Sequence, residues 1–204
     1  MNILYYGLTA DPPHLGHTAC LNSGINTLRP DITFVQVTAK SPTKEDPAED
    51  LHHRKEMAKL AFQKIRTFVF SDFETEIGST FTIDVLRRLD QQFPGDVIHI
   101  LIGYDQLVSL SDWHYPLEVM SLAKLIVIDR MASESKCPQT IKDGYLTHLG
   151  LLTIVDSNRQ IEIISSTAIR KNLIRGAQYA PSGECMCPEV VEYIQNHHLY
   201  HGEN

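Results

Sequence analysis

The sequence predicts an α/β protein with a doubly wound parallel sheet, helices on both faces and a C-terminal helical cap. Two runs, Val97–Ile102 and Leu125–Ile128, are almost entirely apolar, which is typical of strands buried on both faces of a parallel sheet. Helical stretches alternate with the candidate strands, and this alternation indicates βαβ units. Because parallel crossovers are almost always right-handed, consecutive units give a Rossmann-like sheet.

The first quarter of the chain predicts a strand, a loop, a helix, a second strand and a second loop, in that order. Ile3–Tyr6 is an apolar strand, and the loop Gly7–Pro13 separates it from a helix that extends to about Leu28. Ile32–Val37 predicts a second strand. The segment Lys40–Asp50 is polar and carries two prolines, so it is predicted to be a loop.

The same alternation continues through the rest of the chain. Helical spacing of apolar residues predicts one helix at Ala58, Ala61, Phe62 and Ile65, and a second, ending at Pro94-Gly95, at Val85, Leu86, Leu89 and Phe93. Further strands are predicted at Thr67–Phe70 and, more weakly, at Leu151–Val155. From Ser165 on, the chain is predicted to be helical and to cover the carboxyl edge of the sheet. We expect a single domain, 1–204, with a core at 1–164 and a helical segment at 165–204.

Composition limits the class of protein. The 204 residues are 43% hydrophobic and 21% charged, as in an ordinary globular domain. Lys and Arg number 18 against 25 Asp and Glu, and the net charge of −7 argues against a nucleic-acid partner. No apolar run reaches the roughly 18 residues of a membrane span, and Met1–Tyr6 lacks a basic leader, so we expect a cytoplasmic protein without a membrane partner. The sequence allows a homo-oligomer but does not determine the oligomeric state.

The cysteines form neither a disulfide framework nor a metal motif in the sequence. A cytoplasmic chain of this size needs no disulfides. The C-x-C at Cys185–Cys187 and the nearby histidines match none of the usual zinc spacings, so no metal site is predicted. We expect free thiols and surface histidines at Cys20, Cys137, Cys185, Cys187, His197, His198 and His201.

The loop after the first strand has the composition of a polyphosphate site. Ligands of doubly wound folds bind at the carboxyl ends of the strands. The loop contains neither G-x-G-x-x-G nor a P-loop motif; it is G-L-T-A-D-P-P-H-L-G-H from Gly7 to His17. Glycines let backbone approach a ligand, N–H groups at a helix start favour anions, and His14 and His17 share one helical face. Taken alone, two histidines at this spacing are more often structural residues at the start of a helix, one of them a cap, than ligands of a phosphate.

A second segment points to the same chemistry. I-S-S-T-A-I-R, from Ile164 to Arg170, follows the apolar run Ile161–Ile164. Ser165 or Ser166 is a natural N-cap, and the N–H groups that follow have no partner within the helix. Arg170 lies one turn along, where its guanidinium can close on phosphate oxygens. On its own, a capped helix with an arginine in the first turns is commonplace.

The two segments together resemble the H-x-G-H nucleotidyltransferases, and within that superfamily the bacterial nicotinate mononucleotide adenylyltransferases. The resemblance extends over nearly the whole chain. It includes His53–Met57, Thr82–Asp84, Ile102–Asp105, Trp113, Arg130 and Tyr193-Ile194, in that order.

The resemblance implies a defined reaction. The 5′-phosphate of nicotinate mononucleotide attacks the α-phosphorus of ATP in line, pyrophosphate leaves, and deamido-NAD is formed for NAD biosynthesis. No covalent enzyme intermediate occurs, so catalysis is positioning and charge stabilisation. Mg²⁺ accompanies ATP and is bound by phosphate oxygens and water, without a named protein ligand.

The resemblance also implies residue roles. His14, His17 and Arg170 are catalytic, with His17 nearest the reacting centre. The ATP site comprises Gly7, Leu8, Thr9, His14, His17, Gly103, Asp105, Arg130, Ser165, Ser166, Thr167 and Arg170. The acceptor site comprises Lys44, Thr82, Trp113 and His114, with the Trp113 ring against the pyridine. An amphipathic tryptophan that merely covers a loop is the alternative for Trp113.

Departures from the family pattern cluster on the acceptor side. The second glycine of the family motif is Leu8, and the aromatic residue before Asp-Pro is Ala10. The loop Thr38–Lys44 lacks the usual Asn and Pro-His-Lys, Tyr104 replaces a small residue, and His114 replaces an aromatic one. The amide mononucleotide or another phosphomonoester such as phosphopantetheine therefore remains an alternative acceptor. A non-catalytic nucleotide-binding regulator is the alternative of a different class.

Overall fold

Six parallel strands form one sheet in the computed structural model, which describes residues 1–40, 46–129, 152–156, 164–174 and 185–200. Every neighbouring pair of strands is parallel, and the order is β3-β2-β1-β4-β5-β6. The strands are β1 Asn2–Leu8, β2 Ile32–Val37, β3 Val69–Ser71, β4 Val97–Gly103, β5 Ala123–Asp129 and β6 Leu152–Asp156. The predicted doubly wound sheet is confirmed.

Helices connect the strands and cover the sheet. Within the described ranges they are α1 Leu15–Leu28, α2 Leu51–Phe62, α3 Phe73–Ile77, α4 Thr82–Gln92, α5 Tyr104–Val108, α6 Pro116–Leu122, α7 Ser166–Ile174 and α8 Pro188–Asn196, with a 3-10 turn at Leu110–Asp112. The predicted helix around Ala58 ends at Phe62, so Ile65 lies beyond it and packs on the core from the following turn. The third strand is Val69–Ser71 rather than Thr67–Phe70.

Both faces of the sheet are buried, which explains the continuous apolar runs. Ile3 and Tyr5 face one cluster together with α4, whereas Leu4 and Tyr6 face the other together with α1 and α2. A third apolar cluster joins α7 and α8 to Met57 of α2. The C-terminal helices therefore pack beside α2. No helix of the described ranges is long and apolar enough to cross a membrane.

The strand order places the switch point between β1 and β4. These two strands are neighbours, and the chain leaves them toward opposite ends of the sheet, to β2 on one side and β5 on the other. A crevice is expected at such a point, outside the carboxyl ends of the strands. The segments that follow β1 and β4 are therefore the expected walls of a ligand site.

Candidate active site

A cleft of about 490 Å³ lies at the carboxyl ends of β1 and β4. Its walls come from the loop after β1, the start of α5 and the start of α7. Most sequence-predicted site residues line it: Gly7, Leu8, Thr9, His14, His17, Thr82, Gly103, Asp105, Trp113, Ser165, Ser166, Thr167 and Arg170. Arg130 and Lys44 lie outside the described residues.

The two histidines at the start of α1 form a stacked pair. Their ring centroids are 3.8 Å apart, with planes 25° from parallel, and His14 is only 3% exposed. The backbone N–H of His14 donates to His17 Nδ1 at 3.2 Å. Because Nδ1 accepts, the proton of the neutral His17 ring is on Nε2. His17 therefore presents an N–H donor at its other nitrogen, as stabilisation of phosphate charge requires.

The start of α1 differs in one respect from the sequence-based expectation. The Leu15 N–H is already occupied, because it donates to the Cys185 carbonyl oxygen at 2.8 Å. The Gly16 N–H lies in the same first turn, where helix N–H groups have no intrahelical acceptor. Gly16 lines the cleft, whereas the N–H of Leu15 is not available to a ligand there.

The start of α7 is bound directly to the loop after β1. Ser165 is the N-cap, since its Oγ accepts from the Ala168 N–H at 3.2 Å. Ser166 Oγ donates to the Pro12 carbonyl oxygen at 2.9 Å, and Arg170 Nη1 donates to the Asp11 carbonyl oxygen at 2.6 Å. Two motifs some 150 residues apart in sequence are thus joined into one wall.

Asp11 connects these parts, a role that the sequence did not reveal. Its side chain is 3% exposed, and Oδ2 accepts from the Ala48 N–H at 2.8 Å and lies 3.4 Å from Arg170 Nη1. Oδ1 accepts from the Tyr200 hydroxyl at 2.9 Å. The preceding Ala10 has a left-handed backbone (φ 55°), and the Asp11–Pro12 peptide is cis. Asp11 stands within the D-P-P-H motif, but none of its partners is near it in sequence.

A buried arginine joins the loop after β1 to the loop after β2. Arg54 is 2% exposed and donates to the carbonyl oxygens of Thr9, Thr38 and Ala39, at 2.6 to 2.8 Å. It thereby holds the loops after β1 and β2 together. Burial lowers the pKa of the Arg54 guanidinium, against the raising influence of Asp11. His53–Met57 is part of the family resemblance, yet its pattern does not disclose these contacts.

Glu74 of α3 supports the same loop. One carboxylate oxygen accepts from the Ala39 N–H at 2.9 Å, and the side chain lines the cleft although it is 5% exposed. Burial raises the pKa of the Glu74 carboxyl to about 7, while the Ala39 N–H and Arg54 oppose that rise. Sequence patterning did not reveal Glu74, because α3, Phe73–Ile77, is too short to show a periodicity.

The predicted acceptor residues separate in the structure. Thr82 and Trp113 line the cleft, but His114 is not among its lining residues. The His114 ring stacks on Phe81, with centroids 4.3 Å apart. Lys40, which the sequence analysis did not single out, lines the cleft and pairs with Asp46 at 2.6 Å.

Three of the four cysteines lie in the part of the chain that the structure describes. Cys20, Cys185 and Cys187 form no disulfide there, and Cys137 lies outside the described ranges. Among the described residues, no group of three or more His, Cys, Asp or Glu could hold a metal ion.

The strand order and the joined motifs define a Rossmann-like protein whose cleft at the switch point is lined by residues of both motifs. The model of the cytidylyltransferase-like family matches residues 5–172. The chain belongs to this family.

Curated relatives cover almost the whole chain. A protein of Gemmatimonas aurantiaca is 28% identical over 206 residues, covering 98% of this chain and 92% of the relative. One of Prosthecochloris aestuarii is 29% identical over 210 residues, covering 98% of each. Both carry the name "Probable nicotinate-nucleotide adenylyltransferase".

Solved structures confirm the fold. Plasmodium falciparum nicotinic acid mononucleotide adenylyltransferase complexed with NaAD superposes with a TM-score of 0.82 at 20% identity, covering 98% of this chain and 97% of that one. The same enzyme complexed with APC gives a TM-score of 0.79 at 21% identity, covering 98% and 96%.

Proposed function

We propose that this protein is a nicotinate-nucleotide adenylyltransferase of NAD biosynthesis, which joins the AMP part of ATP to nicotinate mononucleotide and releases pyrophosphate. The observation that carries the proposal is the meeting of the two motifs. Ser166 and Arg170 hydrogen-bond to Pro12 and Asp11, so that the histidines and the start of α7 face one cleft. Relatives that match nearly the whole chain carry the name of this activity.

His17 and His14, which both line the cleft, are the residues proposed to meet the reacting α-phosphate. The acceptor phosphate attacks the α-phosphorus as the bond to the leaving pyrophosphate breaks, and negative charge builds on the phosphate oxygens. We propose that an N–H at His17 Nε2 stabilises that charge. The His17 ring would not need to move during the reaction, because the backbone N–H of His14 already holds it through Nδ1. Stacking on His14 holds the ring plane as well.

The start of α7 is proposed to hold the departing pyrophosphate. Ser165, Ser166 and Thr167 present hydroxyl and backbone groups at a helix N-terminus, a position that favours anions. Arg170 has five N–H donors in a planar fork, and its contact with Asp11 aims that fork from the cleft wall. This arrangement favours the phosphates of ATP over a neutral ligand.

The remaining roles are those that the family resemblance implies. Gly7, Leu8 and Thr9 would lie along the nucleotide, and Gly103 with Asp105 would hold the adenosine ribose; Arg130 remains a predicted ATP residue. Trp113 and Thr82 would contact the pyridine ring and its carboxylate, with Lys44 and Lys40 as cations for the acceptor phosphate. The stacking of His114 on Phe81 supports an indirect role, at the rim of that pocket.

A divalent metal generally accompanies ATP in nucleotidyltransferases, and we propose Mg²⁺ here. The Asp11 carboxylate, the acidic group of the histidine loop, already accepts from Ala48 and Tyr200 and faces Arg170. The described residues thus do not form a dedicated protein cage. The ion would enter with the triphosphate, held by its oxygens and by water.

The test is pyrophosphate release from ATP and Mg²⁺, with nicotinate mononucleotide, its amide and phosphopantetheine assayed side by side. The proposal expects the highest kcat/KM with nicotinate mononucleotide. Preference for the amide would keep the chemistry and overturn the acceptor. Binding of ATP without release from any of the three would contradict the enzyme and favour a nucleotide-binding regulator.

A further inference from the structure

The described segment after α8, residues 197–200, packs back against the protein. His198 and Tyr200 both have left-handed backbones, with φ of 51° and 60°. Non-glycine residues adopt this region at a cost, so surrounding contacts must stabilise it. The side chains of Leu199 and Tyr200 provide them, since they are 6% and 5% exposed and belong to the apolar cluster of α2, α7 and α8.

Tyr200 makes two polar contacts with the segments that build the nucleotide site. Its backbone N–H donates to Glu49 Oε1 at 2.7 Å, and its hydroxyl donates to Asp11 Oδ1 at 2.9 Å. Glu49 in turn accepts from Arg54 Nε at 2.9 Å through its carbonyl oxygen. A residue near the end of the chain is therefore bound to the loop that carries His14.

The hydroxyl is a permanent donor at neutral pH. Burial raises the pKa of the Tyr200 phenol far above its usual value, and the Asp11 carboxylate raises it further. The phenol thus remains protonated, and its O–H points to a carboxylate that is 3% exposed. A buried carboxylate without its donors is costly, so the donor fixes its orientation.

The Arg170 guanidinium lies beside this Asp11 carboxylate. Arg170 Nη1 lies 3.4 Å from Asp11 Oδ2 and 2.6 Å from the Asp11 carbonyl oxygen. Without the Tyr200 hydroxyl, Asp11 Oδ1 loses its donor, and the carboxylate can turn toward the guanidinium. That turn would draw the guanidinium away from an anion in the cleft.

We propose that Tyr200 is a positioning residue of the nucleotide site, which acts through the Asp11 carboxylate to orient Arg170 toward the phosphates of ATP. The proposal rests on the proposed function, in which Arg170 holds those phosphates. It assigns to the chain end a role in triphosphate and pyrophosphate affinity rather than in the chemical step.

The experiment compares Tyr200→Phe, which keeps the buried ring, with Tyr193→Phe as the matched control. Tyr193 is nearby on α8, and its hydroxyl bonds to His53 Nδ1 at 3.0 Å instead of to Asp11. Calorimetry with Mg-ATP and with Mg-pyrophosphate measures affinity without an acceptor. Tyr200→Phe should weaken both affinities about tenfold, as loss of a hydrogen bond to a charged group does, and should leave the acceptor KM unchanged. Tyr193→Phe should change none of them.

Two results would overturn the proposal. One is unchanged affinity for both ligands in Tyr200→Phe. The other is an equal loss of ATP affinity and acceptor affinity together with a lowered Tm, which is the signature of general loosening. A double variant tests whether Tyr200 acts through Asp11. In an Asp11→Asn background, Tyr200→Phe should lower the affinities for ATP and pyrophosphate little further. If the wild type binds ATP but turns over no acceptor, the proposed function fails while the comparison of affinities still decides the role of Tyr200.

Discussion

The two ends of the cleft are built in different ways. At the proposed triphosphate end, the start of α7 is hydrogen-bonded to the loop after β1 through Ser166 and Arg170, and the Tyr200 hydroxyl donates to Asp11 of the same loop. At the proposed acceptor end, the loop after β2 is held through its backbone by Arg54 and by Glu74, whose pKa burial raises to about 7. A change at the first end should therefore alter nucleotide affinity or turnover, and a change at the second should alter acceptor use and its pH dependence.

Replacement of His17 by Ala should have the largest effect. Loss of a preorganised donor to the reacting phosphate lowers kcat by about a hundredfold to a thousandfold. ATP affinity, measured by calorimetry, should change little, because the donor acts mainly on charge that develops in the transition state. An unchanged kcat would remove His17 from the reacting centre.

Replacement of Arg170 by Ala should weaken ATP and pyrophosphate binding together, by about tenfold to a hundredfold, since charge-assisted hydrogen bonds are lost. Lys171→Ala is the matched control, because Lys171 is exposed and adjacent on α7. It removes the same charge without touching the cleft wall. Equal effects of the two variants on ATP affinity would assign the loss to net charge rather than to Arg170.

Replacement of Trp113 by Ala should raise the KM of the acceptor about tenfold, since an aromatic stacking partner is lost. ATP affinity should stay unchanged. This result would show that the two ends of the cleft bind their ligands independently. His114→Ala should have the smaller effect, because its ring stacks on Phe81 outside the cleft lining. A larger effect of His114→Ala would reverse these two roles.

Glu74→Gln should have the smallest effect and one that depends on pH. The Glu74 pKa is raised from 4.5 to about 7, so folding favours the protonated carboxyl. Its contribution to the free energy of unfolding is fully present below 4.5 and is lost as pH rises to about 7. Glu74→Gln should therefore gain stability relative to the wild type across this window, with no further gain above it.

Urea denaturation at several pH values measures that difference. Glu76→Gln, at an exposed position of the same helix, is the control and should show no comparable gain. A difference between Glu74→Gln and the wild type that is constant from pH 4.5 to 7 would contradict the raised pKa. The acceptor KM of Glu74→Gln should also lose the part of its pH dependence near 7 that Glu74 causes.

The sequence was sufficient where a property is local. Continuous apolar residues predict buried strands such as Val97–Ile102, and one of the two predicted N-cap candidates, Ser165, is the N-cap. The short helices α3, α5 and α6 were not predicted, because a helix of one or two turns shows no recognisable apolar periodicity. The third strand was displaced by two residues at its start, an error typical of element boundaries.

The sequence was insufficient where contacts join distant segments. Nothing near Asp11 indicates that Tyr200 or Ala48 will donate to its carboxylate, and nothing near Arg54 indicates that it will bridge two loops. Such contacts depend on the packing of α2, α7 and α8 around one apolar cluster. The residues that hold the site in place were therefore harder to predict than the residues that line it.

If this cleft transfers AMP from ATP to nicotinate mononucleotide, both products must form in the same reaction mixture. Pyrophosphate and dinucleotide are therefore quantified together, after incubation of the wild-type protein with ATP, Mg²⁺ and nicotinate mononucleotide. We expect deamido-NAD and pyrophosphate in equal amounts. A protein that binds ATP but forms no dinucleotide would show that the proposed reaction is wrong.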